Sequence, residues 1–233
     1  MIEKRATFTD YGEYYGQNTE QMPKLIADGR VPIIMPQLFQ KRLETVDTSD
    51  EDYFWNNYFN IATIFGYHPD GRVRIGHYLG NEKLISSINP QSNIENGALV
   101  LSGNDEFESL VGKDFSRKDI KRYANKDHKS PQETSENPLV IELAGGDVSL
   151  LKEYAKKDFE LARKYGYSSE RMGVWLHDAR EKAIMRLCCF NGLDYNSNAI
   201  GIFNFIVNNG GRLVGISSEA TGSCAQKNSY YAT

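Results

Sequence analysis

A chain of 233 residues with 27 basic and 31 acidic side chains carries a net charge of −4, so it has no bulk attraction to nucleic acid or to an anionic membrane. Any such contact must be a local patch. The length suffices to bury a sizeable core, as one large domain or two small ones, and no stretch approaches the about 20 apolar residues that span a bilayer.

The first residues lack the apolar core of a signal peptide. Cysteine is sparse: Cys188 and Cys189 are adjacent, Cys224 stands apart, and no CxxC spacing occurs. A disulfide framework is not expected, and a reducing cytoplasm is the expected setting.

Residues 1–17 are polar and rich in tyrosine (Tyr11, Tyr14, Tyr15), and read as a loosely packed arm or one that docks on a partner. Thr19–Ala27 is a short helix, with Pro23 early and Gly29 beyond its end. Pro36 opens a second helix reaching about Val46. Leu38, Phe39, Leu43 and Val46 repeat inward, and Gln40, Lys41, Arg42 and Glu44 lie outward. The acidic run Asp47–Asp52 leads into Tyr53, Phe54, Trp55, Tyr58 and Phe59, an aromatic stripe that belongs in a core.

Asn60–Leu79 is the clearest local structure in the first half. Pro69-Asp70-Gly71 closes a β-hairpin, with Gly71 in the left-handed position. That register sets His68 opposite Arg72, Gly66 opposite Arg74, Ile64 opposite Gly76 and Thr63 opposite His77. Side chains alternate along a strand. Thr63, Phe65, Tyr67, Val73, Ile75 and His77 therefore share a packing face, and His68, Arg72 and Arg74 lie on the other with two glycines. The two histidines point apart and cannot share a metal ion. Guanidinium forks suit phosphate and carboxylate, so the second face is a candidate anion-binding surface.

Gly80–Ile88 and Asp105–Val111 read as short helices around a strand at Ala98–Leu101. Residues 113–137 carry the largest shift in composition. Ser116 and Asp119 form a capping box, which starts a basic helix bearing Arg117, Lys118, Lys121 and Arg122. It is the strongest candidate for a phosphate-backbone contact; the alternative is a plain solvated face, which the interleaved aspartates support. Residues 130–138 hold no core-forming side chain and read as an exposed linker. The expected division is 1–129, a linker at 130–138, an α+β region at 139–218 and a polar tail at 219–233.

Asp147 caps the strongest helix, Val148–Tyr165, which Gly166 ends. Two apolar strands follow, Met172–Leu176 and Ile184–Phe190, around His177, Asp178, Arg180 and Glu181. A second hairpin, Ala199–Val207 with Arg212–Ser218, turns at Asn209-Gly210 and is apolar on both faces, as in a covered sheet. The expected class is α+β: N-terminal helices and a hairpin, then a mainly antiparallel sheet with one long packed helix.

No P-loop, Rossmann, GxSxG, kinase or HExxH pattern occurs, and no metal or cofactor is expected. The reading that follows is an intracellular binding protein, not an identifiable enzyme. Its cationic surface (His68, Arg72, Arg74, Arg117, Lys118, Lys121, Arg122) would meet an anionic partner such as RNA or a ribonucleoprotein, or another protein. One alternative is a small hydrolase or nuclease-like enzyme using His177 with Glu181 or Asp178, aided by Arg180. Another is a homo-oligomeric structural part.

Overall fold

A computed structural model describes residues 11–176, 181–201 and 211–217. The helices are α1 (Asn18–Ala27), α2 (Met35–Glu44), α3 (Glu51–Asn56), α4 (Glu82–Ser86), α5 (Asn104–Glu108), α6 (Arg117–Tyr123), α7 (Pro131–Glu136), α8 (Pro138–Leu143) and α9 (Val148–Tyr165). The strands are β1 (Tyr11–Tyr15), β2 (Arg30–Pro32), β3 (Phe59–Tyr67), β4 (Val73–His77), β5 (Ile94–Glu95), β6 (Ala98–Val100), β7 (Lys113–Phe115), β8 (Val174–Trp175), β9 (Ile184–Phe190), β10 (Ala199–Ile200) and β11 (Arg212–Ser217). The class is α+β, as the periodicities predict. No helix among the described residues is long and apolar enough to cross a membrane.

All eleven strands belong to one sheet whose main path runs β1-β11-β3-β9-β10-β8. Strand β3 is its spine: all nine of its residues are buried. The β3–β4 hairpin has the register expected from the sequence, Thr63 opposite His77 through Tyr67 opposite Val73. Gly71, at φ 91°, makes the left-handed turn, and the His68 amide donates to the Arg72 carbonyl at 3.0 Å.

Both halves of the chain contribute to the sheet. Strand β3 from the first half pairs antiparallel with β9 from the second, and one apolar cluster draws on residues from Ile33 to Val214. The expected linker is instead helix α7, packed against α9. Ser130 caps it by accepting the Glu133 amide, Pro131 occupies its first turn, and Thr134 is fully buried with its hydroxyl on the Ser130 carbonyl. Small polar side chains that satisfy themselves locally can be buried without any apolar pattern.

Two other expectations change. Tyr11–Tyr15 is not a loose arm but strand β1, antiparallel to β11 over five residue pairs. The described partners of β11 are not those of the second expected hairpin: β1 holds one edge of that strand, β2 and β3 divide the other, and most of the hairpin's first strand and its turn lie outside the described residues. Residues 202–210 and the tail at 219–233 lie outside the described residues.

Helix α2 holds the largest surprise. Arg42, expected outward, is completely buried. Its guanidinium donates to the carbonyls of Phe54 (2.8 Å), Asn57 (2.9 Å) and Asn191 (3.0 Å) and to the Tyr154 hydroxyl (2.9 Å). The rings of Trp55, Phe59 and Phe190 surround it at 5.8, 5.9 and 4.8 Å. Tyr154, on α9, stacks on both Phe39 and Trp55, and burial pushes its phenol pKa up.

Arg42→Met keeps much of the stem volume and removes every donor. We expect a loss of about 3–5 kcal/mol in urea unfolding, because several buried acceptors are orphaned together. A loss below about 1 kcal/mol would show that the carbonyls find other partners.

His77 is also buried. The Met35 amide donates to Thr63 Oγ1 (2.9 Å), which pairs with His77 Nδ1 (2.9 Å), and Nε2 faces the Glu142 carbonyl at 3.1 Å. A carbonyl only accepts, so Nε2 carries the proton and the ring is neutral. Burial lowers its pKa to about 4 from an ordinary 6.5. Stability from this site is complete above the unfolded value and falls as pH drops towards 4. Between pH 7.5 and 4.5 the loss should be roughly 2–3 kcal/mol. His128, lowered mainly by its own burial, adds a slope of the same sign. In His77→Gln the slope should shrink markedly in unfolding curves taken across that range, and an unchanged slope would assign it elsewhere.

Candidate functional site

The hairpin face holds Arg72 and Arg74 as the register places them, but both already have anionic partners within the chain. Arg72 reaches Asp70 (2.7 Å), Glu108 (2.8 Å) and Asp114 (3.2 Å). Arg74 forks onto Asp114, reaches Glu108 at 3.1 Å, and donates to the carbonyls of Phe107, Glu108 and Leu110. Both guanidiniums lie over the Phe107 ring, which also meets His68 at 4.9 Å. Hydrogen bonding from Arg74 holds the Asp114 carboxyl below its ordinary value. The glycines do not open a surface here: a Cβ on Gly66 would strike Leu110, and one on Gly76 would strike the Val111 carbonyl. The cluster staples the hairpin to α5 and β7.

Arg74→Ala should therefore cost about 2–3 kcal/mol in chemical denaturation, because three carbonyls lose their donor. Arg72→Ala, at a more exposed ion pair, should cost less than about 1 kcal/mol. Equal costs would contradict this division of labour.

Helix α6 differs. Ser116 and Asp119 form the expected capping box, and Ile120 anchors the helix while its cations stay outside. Arg117, Lys118, Lys121, Arg122 and the following Lys126 are all exposed. Among the described residues none of the five is in an ion pair. Two of the aspartates interleaved with them in sequence are engaged elsewhere: Asp114 holds the hairpin arginines, and Asp127 accepts from Trp175 Nε1 (3.3 Å) and Asn196 Nδ2 (3.4 Å). Asp119 closes the cap, and its carboxyl is held below the ordinary value first by Ser116 and then by the charges of Lys118 and Arg122.

Beside the end of α6 is a cleft of about 430 Å³ whose lining includes Arg122, Tyr123, Lys126, His128 and Asn137, with Glu133 and Glu136 supplied by α7. Asn137 is the residue that sequence reasoning missed. Its Nδ2 donates to the Tyr123 carbonyl and to His128 Nε2, both at 2.9 Å, and its Oδ1 caps α8 at the Leu139 amide. Asn-Pro before an apolar run was the available signal. His128 is buried and exchanges backbone hydrogen bonds with Arg171, whose guanidinium pairs with fully buried Asp158. The cleft wall is therefore fixed from behind.

His177, Asp178 and Arg180 lie outside the described residues, and Glu181 is exposed in the loop before β9. Burial raises both β9 thiols, Cys189 to about 12, so neither supplies a thiolate near neutral pH. Among the described residues no group of three or more His, Cys, Asp or Glu could hold a metal.

No family model matches the chain, and no curated protein matches it. A solved C-type lectin fold from Nanoarchaeota, described as accommodating massive sequence variation, is similar to it in structure. The TM-score is 0.67 at 18% identity, over 93% of this chain and all of that one. At that identity the likeness concerns the fold alone.

Proposed function

We propose that this chain is a non-catalytic binding protein that takes an anionic partner on α6 and its adjoining cleft. The observation that carries the reading is the contrast between two sets of cations. Arg72 and Arg74 are neutralised inside the molecule, whereas Arg117, Lys118, Lys121, Arg122 and Lys126 are exposed, in no ion pair among the described residues, with two of the three neighbouring aspartates engaged elsewhere. On a molecule of net charge −4 such a patch acts locally, with Tyr123 adding a ring contact. RNA, free or in a ribonucleoprotein, is the first partner to test, because a phosphate backbone offers repeated charges to a row of cations.

The C-type lectin likeness supports a binding role: that neighbour is described as a fold that accommodates massive sequence variation. In this reading the sheet is framework and recognition lies in exposed side chains. Location in the cytoplasm belongs to the same proposal, supported by Cys188 and Cys189 remaining free thiols.

The test is salt-dependent binding of a single-stranded RNA oligonucleotide. Lys121→Ala with Arg122→Ala should weaken binding about 5–20-fold at low salt and reduce the slope of log K against log salt by about 2. Arg72→Ala should leave both unchanged. Identical affinities for all three proteins at every salt concentration would end the proposal.

A further inference from the structure

The dipeptide Asn-Gly occurs at 96–97, 191–192 and 209–210. The last pair lies outside the described residues, and the other two sit in opposite circumstances. Asn191 is half-buried and tied at both ends: its amide donates to the Asn198 carbonyl at 3.0 Å, and its carbonyl accepts from Arg42 Nη2 at 3.0 Å. Gly192 is buried against the chain at Asn56, where an added Cβ would lie 2.6 Å from the main-chain carbon. Its carbonyl accepts the amides of Tyr195 (3.1 Å) and Ser197 (2.9 Å).

Asn96 is exposed and forms the tip of the β5–β6 hairpin with Gly97. The two residues have φ 48° and 72°, the positive values that a two-residue hairpin turn asks of its central pair. Strand β5 is two residues long and pairs only with β6 among the described residues. A hairpin of two residue pairs opens locally at little cost. Gly97 is itself buried, and such opening admits water to its amide. The closed turn adds one more contact. Arg186, buried on β9, donates from Nη2 to the Asn96 main-chain carbonyl at 2.8 Å.

We propose that Asn96 is a site of spontaneous deamidation, and that Arg186 steers the reaction to isoaspartate. The Gly97 nitrogen loses its proton to water and attacks the Asn96 side-chain carbon, with no Cβ on Gly97 in the way. The new C–N bond closes a five-membered imide, and the side-chain nitrogen leaves as ammonia. Water then adds to the Asn96 main-chain carbonyl carbon, and its bond to the Gly97 nitrogen breaks. That nitrogen regains a proton and stays joined to the former side-chain carbon. The balance is one NH2 exchanged for one OH, which is a new negative charge at neutral pH. Arg186 bears on both steps through one oxygen. Charge gathers there when the Gly97 N–H is lost, and again when water adds to that carbonyl, and a positively charged donor stabilises it each time. In the isoaspartyl product the same oxygen belongs to a carboxylate, a stronger acceptor for the guanidinium than a carbonyl. Asn191 stays intact because its turn is held on every side.

The test is incubation of the intact chain in mildly alkaline buffer, with and without guanidinium chloride. Peptide mass spectrometry follows the NH2-to-OH exchange at each asparagine, and electron-transfer fragmentation separates isoaspartate from aspartate. In the folded chain Asn96 should convert about tenfold faster than Asn191 or more, and the two rates should converge on unfolding. The isoaspartate-to-aspartate ratio at residue 96 should be at least about threefold higher folded than unfolded, because Arg186 meets the carbonyl only in the fold. Arg186→Met should bring that ratio down to the unfolded value. Folded-state conversion of Asn96 no faster than that of Asn191 would overturn the proposal. So would equal ratios in the folded and unfolded chain, or a folded Arg186→Met protein that keeps the wild-type ratio. If Arg186→Met does not fold, the two wild-type ratios decide the matter.

Discussion

The guanidinium of Arg42 is the point at which separate parts of this chain are made to meet. Its acceptors are the last turn of α3, the entry to β3, the exit of β9 and a tyrosine from the middle of α9. Phe54 and Asn57 are neighbours in sequence, but Tyr154 and Asn191 are far from them and from each other, and no ladder brings all of them together. Main-chain carbonyls at strand and helix ends need donors when water is absent. A single planar cation with five N–H groups supplies several at once. The surrounding rings lower the cost of burying its charge, and Trp55 returns a bond to the Arg42 carbonyl at 2.7 Å. The stack of Phe39, Tyr154 and Trp55 then follows from where these backbones are held.

Arginine is used in several ways here, and the differences separate architecture from candidate recognition. Arg171 is buried against Asp158 and fixes the loop behind the cleft. Arg74 combines carboxylates with carbonyls at the hairpin tip. Arg42 uses carbonyls and rings, with no carboxylate. In each of these the donors end inside the molecule, and the role is structural. Arg122 on the surface is in no ion pair among the described residues. A cation becomes interesting for binding when the surrounding chain has not already answered it, and that accounting requires coordinates.

This bears on what the sequence revealed. The Pro69-Asp70-Gly71 turn, the Ser116 capping box and the Asp147-to-Gly166 limits of α9 were legible because each is written within a few neighbouring residues. The inward turn of Arg42 was not, because a charged residue at an outward position gives no sign of carbonyls waiting for it. Helix α7 was hidden because Thr134 and Ser135 are buried by virtue of local hydrogen bonds, and polarity was read as exposure. The place of β11 between β1 and the pair β2 and β3 was hidden because alternation gives a strand its faces but not its neighbours. For the candidate site, the basic run was visible as a string of charges. That Asp114 and Asp127 are engaged elsewhere depends on partners such as Arg74 and Trp175, which the sequence does not place beside them.

The pairing of β1 with β11 also determines how the molecule would answer a pull. Tyr11 lies opposite Ile216, and Tyr15 lies opposite Arg212. The outer ends of these strands are therefore side by side at one end of the ladder. Tension applied there would load the rungs one after another, as in opening a zip, and would not shear all five pairs together. The first bonds to yield would be those nearest Tyr11, and the pair of Tyr15 and Arg212, at the far end of the same ladder, would be the last part of that edge to open.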